Sequence, residues 1–127
     1  MKKIILVLFF SICMLFGKIS NILVTPEALN DVLLVDVRTK EEFKSSHIAG
    51  SLNVPITTKN GYNADFLNEL EALNIDKGKK IAVICKSGAR SSAAAKLLDK
   101  NGYKDVVNLK GGIERLVKEY DYKFIKE

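Results

Sequence analysis

Two short, nearly continuous apolar runs constrain the fold of this chain more than any other feature of its 127 residues. Residues 32–37 (VLLVDV) and 80–85 (KIAVIC) are rich in β-branched side chains. Strands of parallel sheets that are covered on both faces have this composition. Three shorter runs of the same kind are predicted as further strands, at residues 22–24, 52–54 and 106–109.

Helix signals separate these predicted strands. Thr25 before Pro26 is typical of a helix start, and Thr39 with Glu42 forms a capping box. Apolar residues at helical spacing predict the remaining helices, within residues 66–73, 94–98 and 113–120. This alternation predicts an α/β fold with a mainly parallel central sheet of about five strands and helices on both faces.

The N-terminus carries a different signal. Lys2 and Lys3 precede an uncharged, mostly apolar run at residues 4–17, which is too short to span a bilayer as a helix. A lysine pair before such a run is typical of a secretory signal, whereas a buried core helix would have a polar face. We therefore expect residues 1–20 to be a signal peptide or an uncleaved membrane anchor, and residues 21–127 to form the exported, periplasmic domain.

Export would change both the charge and the cysteine count. Without residues 1–20 the net charge falls from +5 to about +2, because 17 basic and 15 acidic side chains remain. That balance, with no basic run interleaved with aromatic residues, argues against a nucleic-acid partner, and membrane contact is expected only through an uncleaved N-terminal segment. Cys13 lies in the apolar run, so Cys85 is the one thiol of the predicted domain and has no partner for an internal disulfide.

Cys85 opens the segment with the clearest chemical meaning, residues 85–91 (CKSGARS), between a buried strand and a helix. Gly88 gives the backbone freedom to turn its N–H groups toward one point, and the helix predicted to begin near Ser91 adds its positive end. Such a nest binds an anion without a metal and favours a cysteine thiolate, with Lys86 and Arg90 adding positive charge. A buried structural cysteine is the plainer alternative, but the glycine- and arginine-bearing turn favours a sulfur nucleophile.

Other polar residues receive structural interpretations. Asp36 and Arg38 are expected to form an ion pair that fixes a turn at the helix start near Glu42. His47 is the only histidine, so it predicts neither a Cys–His pair nor a metal cluster, and a turn-fixing hydrogen bond is expected instead. Gly111 and Gly112, before a helix, suit close approach of their backbone to the cysteine loop.

Three ordered motifs resemble a known family, the rhodanese domains. Residues 36–55, from Asp-Val-Arg to Val-Pro, resemble the opening half of that domain. Residues 85–91 resemble its active-site loop, and residues 109–113 its closing signature. The resemblance runs from about Ile22 to Tyr120. It implies a single rhodanese module in which Cys85 becomes a persulfide and the substrate is bound by Lys86, Ser87, Gly88, Ala89 and Arg90.

The function implied is that of a sulfurtransferase that needs no cofactor and no metal. Cys85 would take sulfane sulfur from a small anion such as thiosulfate and pass it to cyanide, a thiol or a protein acceptor. One alternative is a non-catalytic module that carries sulfur or binds a partner. Another is a cysteine-dependent phosphatase, although such enzymes have five residues between cysteine and arginine where this chain has four.

Two positions depart from the family pattern. The family usually has an aromatic residue, commonly tryptophan, where this chain has Leu116, and it tends to have glycine where this chain has Ser46. These departures affect the expected rim of the pocket and its substrate preference, and they leave the loop chemistry unchanged.

Overall fold

A five-stranded parallel sheet forms the centre of the fold in the computed structural model, which describes residues 18–127. Its strands are β1 (Lys18–Leu23), β2 (Leu33–Asp36), β3 (Leu52–Asn53), β6 (Lys80–Ile84) and β7 (Asp105–Lys110). A separate antiparallel hairpin contains β4 (Thr57–Thr58) and β5 (Gly61–Tyr62). The helices are α1 (Lys40–Ser45), α2 (Phe66–Glu71), α3 (Ala89–Lys100) and α4 (Gly112–Tyr120).

The order of the strands across the central sheet is β1-β7-β6-β2-β3, and every neighbouring pair is parallel. Alternate side chains of each strand point to opposite faces, so Val35 joins one apolar cluster and Leu34 the other. Helices α2 and α3 contribute to the first cluster, and α4 contributes to the second. The predicted α/β architecture, with helices on both faces, is confirmed.

The N-terminal part of the domain differs from the prediction in two ways. The residues after Pro26 form only a single 3-10 turn, Glu27–Leu29, in place of a helix. Strand β1 begins at Lys18, four residues before the strand predicted at residues 22–24, and its six residues all pair with β7. The predicted signal segment lies mostly outside the described residues, so the signal and the periplasmic location remain predictions. Within residues 18–127, no helix is long and apolar enough to cross a membrane.

The residues after α4 form no regular strand or helix. They extend along the domain and make one isolated antiparallel bridge, between His47 and Ile125. Tyr122 and Phe124 pack against the second apolar cluster, which explains why apolar residues alternate there without a sheet neighbour.

The parallel arrangement brings three loops to one edge of the sheet. Strands β2, β6 and β7 end at this edge, and they are followed by the segments that begin near Asp36, Cys85 and Gly111. Ligand sites of open parallel sheets lie at the carboxyl ends of the strands. The polar motifs of the sequence therefore meet where such a fold normally binds its ligand.

Candidate active site

Cys85 lies directly after β6, at the bottom of the loop, and only 1% of its surface is exposed. Its Sγ accepts hydrogen bonds from the backbone N–H groups of Gly88, at 3.0 Å, and Ser91, at 3.3 Å. Its thiol donates to Oγ of Ser91 at 3.4 Å. Two amides thus converge on the sulfur and provide the partners that a thiolate or a bound sulfur atom needs in a buried place.

The turn at Gly88 makes this convergence possible. Gly88 has a φ of 127°, which side-chain-bearing residues rarely adopt, and it is the N-cap of α3. Helix α3 therefore begins at Ala89, two residues earlier than predicted. Gly88 has no side chain to cap the helix. The sulfur of Cys85 instead accepts a hydrogen bond from the backbone N–H of Ser91, the third helical residue. A negative sulfur at this position lies against the positive end of the helix.

Ser91 is the contact residue that sequence reasoning missed, although it belongs to the loop motif. It is fully buried, and its hydroxyl donates to the carbonyl oxygen of Gly88 at 3.1 Å. When the thiol is ionised, the same hydroxyl can turn to donate to the sulfur. A polar residue at the start of an otherwise apolar helix face is the signal that could have identified it.

The start of α4 supports the loop from the other side. The N–H groups of Ile113 and Glu114 donate to the carbonyl oxygens of Cys85 and Lys86, both at 3.0 Å. A Cβ at Gly112 would collide with these same carbonyl oxygens. The predicted close approach of the Gly-Gly backbone to the loop is confirmed, and it leaves the loop carbonyls paired and the loop amides free to face the sulfur.

Arg90 is held by a carboxylate and does not point freely over the loop. Its guanidinium donates to both carboxylate oxygens of Glu42, at 2.6 and 3.1 Å. This hydrogen bonding, opposed by burial, lowers the pKa of Glu42 from its ordinary value of 4.5 to about 2. The carboxylate in turn raises the pKa of Arg90 above its ordinary value. The pair joins α1 to α3, and Glu42 also accepts from the backbone N–H of Thr39, which completes the predicted capping box.

The remaining predicted substrate-binding residues form the rim of the loop. Lys86, Ser87 and Ala89 are exposed, and Nζ of Lys86 lies 4.0 Å from the carboxylate of Glu114. Of the five residues predicted to bind the substrate, Gly88 is the one that contacts the sulfur.

Asp36 and Arg38 form the structural ion pair that was expected. Both are buried, and Nη2 of Arg38 lies 2.8 Å from the Asp36 carboxylate while donating to the carbonyl oxygen of Ser46 at 2.7 Å. The pair ties the end of β2 to the residue after α1. Neither side chain is hydrogen-bonded to Sγ of Cys85, and their contribution is to fix α1, which carries Glu42.

His47 also has a structural position. Its Nδ1 lies 2.7 Å from the carbonyl oxygen of Phe43, and its ring stacks on the Phe43 ring at 3.7 Å between centroids. These contacts agree with the predicted turn-fixing role. Within residues 18–127, no group of three His, Cys, Asp or Glu side chains could hold a metal ion.

Comparison with known proteins identifies relatives of the whole domain. The family model described as "Rhodanese-like domain" matches residues 23–119. The structure resembles that of a rhodanese-related protein from Thermoplasma volcanium, with 31% identity and a TM-score of 0.65. The similarity covers 80% of this chain and 90% of the other.

Two curated relatives carry different functional names. A protein named sulfurtransferase from Allochromatium vinosum is 37% identical over 83 residues, which are 65% of this chain and 69% of the relative. A tRNA uridine(34) hydroxylase of Acinetobacter baumannii is 35% identical over 92 residues, which are 72% of this chain. This chain spans only 28% of the length of that hydroxylase, so the match concerns one part of a longer protein.

Proposed function

This chain belongs to the family of rhodanese-like domains, and we propose that it is a sulfurtransferase that carries sulfane sulfur on Cys85. The observation that carries the proposal is the convergence of two backbone amides, from Gly88 and Ser91, on the buried sulfur. A sulfurtransferase-named relative of comparable length supports it. Preorganised donors of this kind stabilise negative charge on sulfur without any reorganisation during the reaction.

The first half-reaction loads the cysteine. The Cys85 thiolate attacks the outer sulfur of thiosulfate, a new S–S bond forms, and the S–S bond of thiosulfate breaks. Sulfite leaves with the electron pair of the broken bond, and Lys86 is the exposed cation at the rim that can attract both anions. The Cys85 persulfide then replaces the thiolate among the loop amides.

The second half-reaction releases the sulfur. Cyanide or the thiolate of an acceptor attacks the outer sulfur of the persulfide, and the electron pair of the S–S bond returns to Cys85. The product is thiocyanate or a persulfide of the acceptor, and the amides of Gly88 and Ser91 again face a thiolate. Because charge begins and ends on the same sulfur, one set of donors serves both steps.

Arg90 has a positioning role in this proposal. Its guanidinium is already bound by both oxygens of Glu42, so it fixes the start of α3 more directly than it can bind a donor. Correct placement of the Ser91 N–H depends on that helix start. The prediction that Arg90 also binds the charge of the donor remains a prediction.

The test is turnover of thiosulfate and cyanide to thiocyanate by the full chain and two variants. Cys85→Ser should abolish turnover while leaving the melting temperature within a few degrees, because a hydroxyl is nearly isosteric but is not ionised at neutral pH. Cys13→Ser is the matched control and should retain full activity. Equal activity of wild type and Cys85→Ser would refute the proposal.

Two other results would favour the alternatives. A folded wild type that neither turns over nor takes up sulfur from any sulfane donor would indicate a partner-binding module. Hydrolysis of an aryl phosphate that is lost in Cys85→Ser would indicate a cysteine-dependent phosphatase.

A further inference from the structure

A groove of about 460 Å³ runs along the outer side of α3 and begins beside the active loop. One wall is a single face of α3, from Ala89 to Lys100, and Ile56, Thr57 and Tyr62 of the hairpin region complete the lining. Tyr62 is 62% exposed, which is high for a large aromatic side chain. Aromatic residues are enriched at protein interfaces because they provide contact area at little cost in side-chain entropy.

The floor of the groove is apolar, and the charges around it have one sign. Its charged lining residues are Arg90, Lys96 and Lys100, and no carboxylate contributes to the lining. Arg90 is neutralised by Glu42, but Lys96 and Lys100 are exposed and have no carboxylate within 4.0 Å in residues 18–127. Residues 1–17 contain no Asp or Glu, so they cannot supply one. The surface therefore complements an acidic partner.

The length of the groove indicates the kind of partner. Lys100 lies eleven residues after Ala89 along the helix, which corresponds to roughly 16 Å at 1.5 Å per residue. An extended polypeptide covers this distance with about five residues. A small thiol that reaches Cys85 would leave the far end of the groove, with Lys96 and Lys100, unused.

We propose that this groove binds an extended, acidic segment of the protein that accepts sulfur from Cys85. The acceptor cysteine lies at the loop end, an apolar side chain of the segment packs on the floor near Ala93 and Leu97, and carboxylates further along it face Lys96 and Lys100. The inference rests on the proposed function, because it identifies the acceptor in the second half-reaction. In that step the acceptor thiolate takes the outer sulfur, and the electron pair of the S–S bond returns to Cys85.

The experiment compares three peptides, two of which contain one acceptor cysteine each. In the first, apolar and glutamate residues follow the cysteine over five positions. The second has glutamine in place of each glutamate, and the third has serine in place of cysteine. Sulfur transfer from the persulfide form of the full chain is measured for the first two, and the affinity of the unloaded protein is measured for the third by fluorescence anisotropy.

The variant Lys96→Gln/Lys100→Gln should lower kcat/KM for the acidic peptide by about tenfold, because two partly exposed ion pairs are lost. The affinity for the serine peptide should fall by about the same factor. Transfer to cyanide should be unchanged, and the difference between the acidic and neutral peptides should shrink at high salt. Lys79→Gln/Lys80→Gln is the matched control, since it removes the same charge at the amino end of β6, opposite the active loop. This control should change neither sulfur transfer to the acidic peptide nor affinity for the serine peptide.

Three results would overturn the inference: equal transfer to the acidic and neutral peptides, an equal loss in the Lys79/Lys80 control, or faster transfer to a free low-molecular-weight thiol than to the acidic peptide. Any of these with normal transfer to cyanide leaves the proposed function intact. If no persulfide forms at all, the proposed function fails, and the serine-peptide affinity still decides whether the groove binds acidic segments.

Discussion

At the scale of single residues, the site consists of one sulfur atom and the groups that surround it. Cys85 could be predicted from the sequence because a thiol followed by a glycine turn and a helix is a local pattern. The contacts of Ser91 depend on where α3 begins, and the Gly88 N-cap moves that start two residues earlier than the apolar pattern predicts. Such a shift changes which amide and which hydroxyl meet the sulfur.

Ser91→Ala should make Cys85 less reactive. The substitution removes the hydroxyl that lies 3.4 Å from Sγ and leaves the backbone N–H in place, so the thiolate loses one of its three polar neighbours. We expect the rate of alkylation by iodoacetamide at neutral pH to fall about fivefold, since a typical hydrogen bond contributes about 1 kcal/mol. Ser92→Ala is the control. Equal alkylation rates in the two variants would mean that the Ser91 hydroxyl does not contribute to the reactivity of Cys85.

At the scale of elements, the sheet was predictable and the pairing between distant elements was not. All five predicted strand positions coincide with central strands to within a few residues, because buried parallel strands are recognisable by composition alone. Local spacing places Glu42 one helical turn from Arg38, yet its partner is Arg90, 48 residues away. That pairing follows from the order of the strands, which brings α1 next to the start of α3. The hairpin was missed because its strands have only two residues each.

The Glu42–Arg90 pair predicts how stability depends on pH. The pKa of Glu42 is lowered to about 2 in the folded protein. The stabilisation of the fold by its carboxylate is therefore complete above pH 4.5 and is lost as the pH falls from about 4.5 to about 2. Glu42→Gln keeps a side chain suited to the capping box but removes the charge. We expect it to lower the free energy of unfolding by about 1 kcal/mol at neutral pH.

Urea denaturation at a series of pH values measures this effect. The free energy of unfolding of wild type should exceed that of Glu42→Gln at neutral pH, and this difference should shrink through that acidic window. Glu41 is an exposed neighbour, so the difference between wild type and Glu41→Gln should stay the same across the pH series. A difference that stays constant between neutral pH and pH 2 would mean that the ion pair does not stabilise the fold.

At the scale of the whole molecule, the parallel topology joins the three motifs into one site. The ends of β2, β6 and β7 lie at the same edge, so the ion pair that fixes α1, the cysteine loop and the Gly-Gly turn support one another. The same topology places the groove along α3 directly beside the loop, and no local motif predicts it. Its lining comes from residues 56–62 and 89–100, which are adjacent only after folding.

The most direct test of the account is the intact mass of the full chain after incubation with thiosulfate and, separately, with polysulfide. We predict that the wild type and Cys13→Ser each gain one sulfur atom, that peptide mapping locates it on Cys85, and that subsequent cyanide removes it. The Cys85→Ser variant should gain none. A folded wild type that takes up no sulfur from either donor, or carries it on a residue other than Cys85, would contradict the central claim.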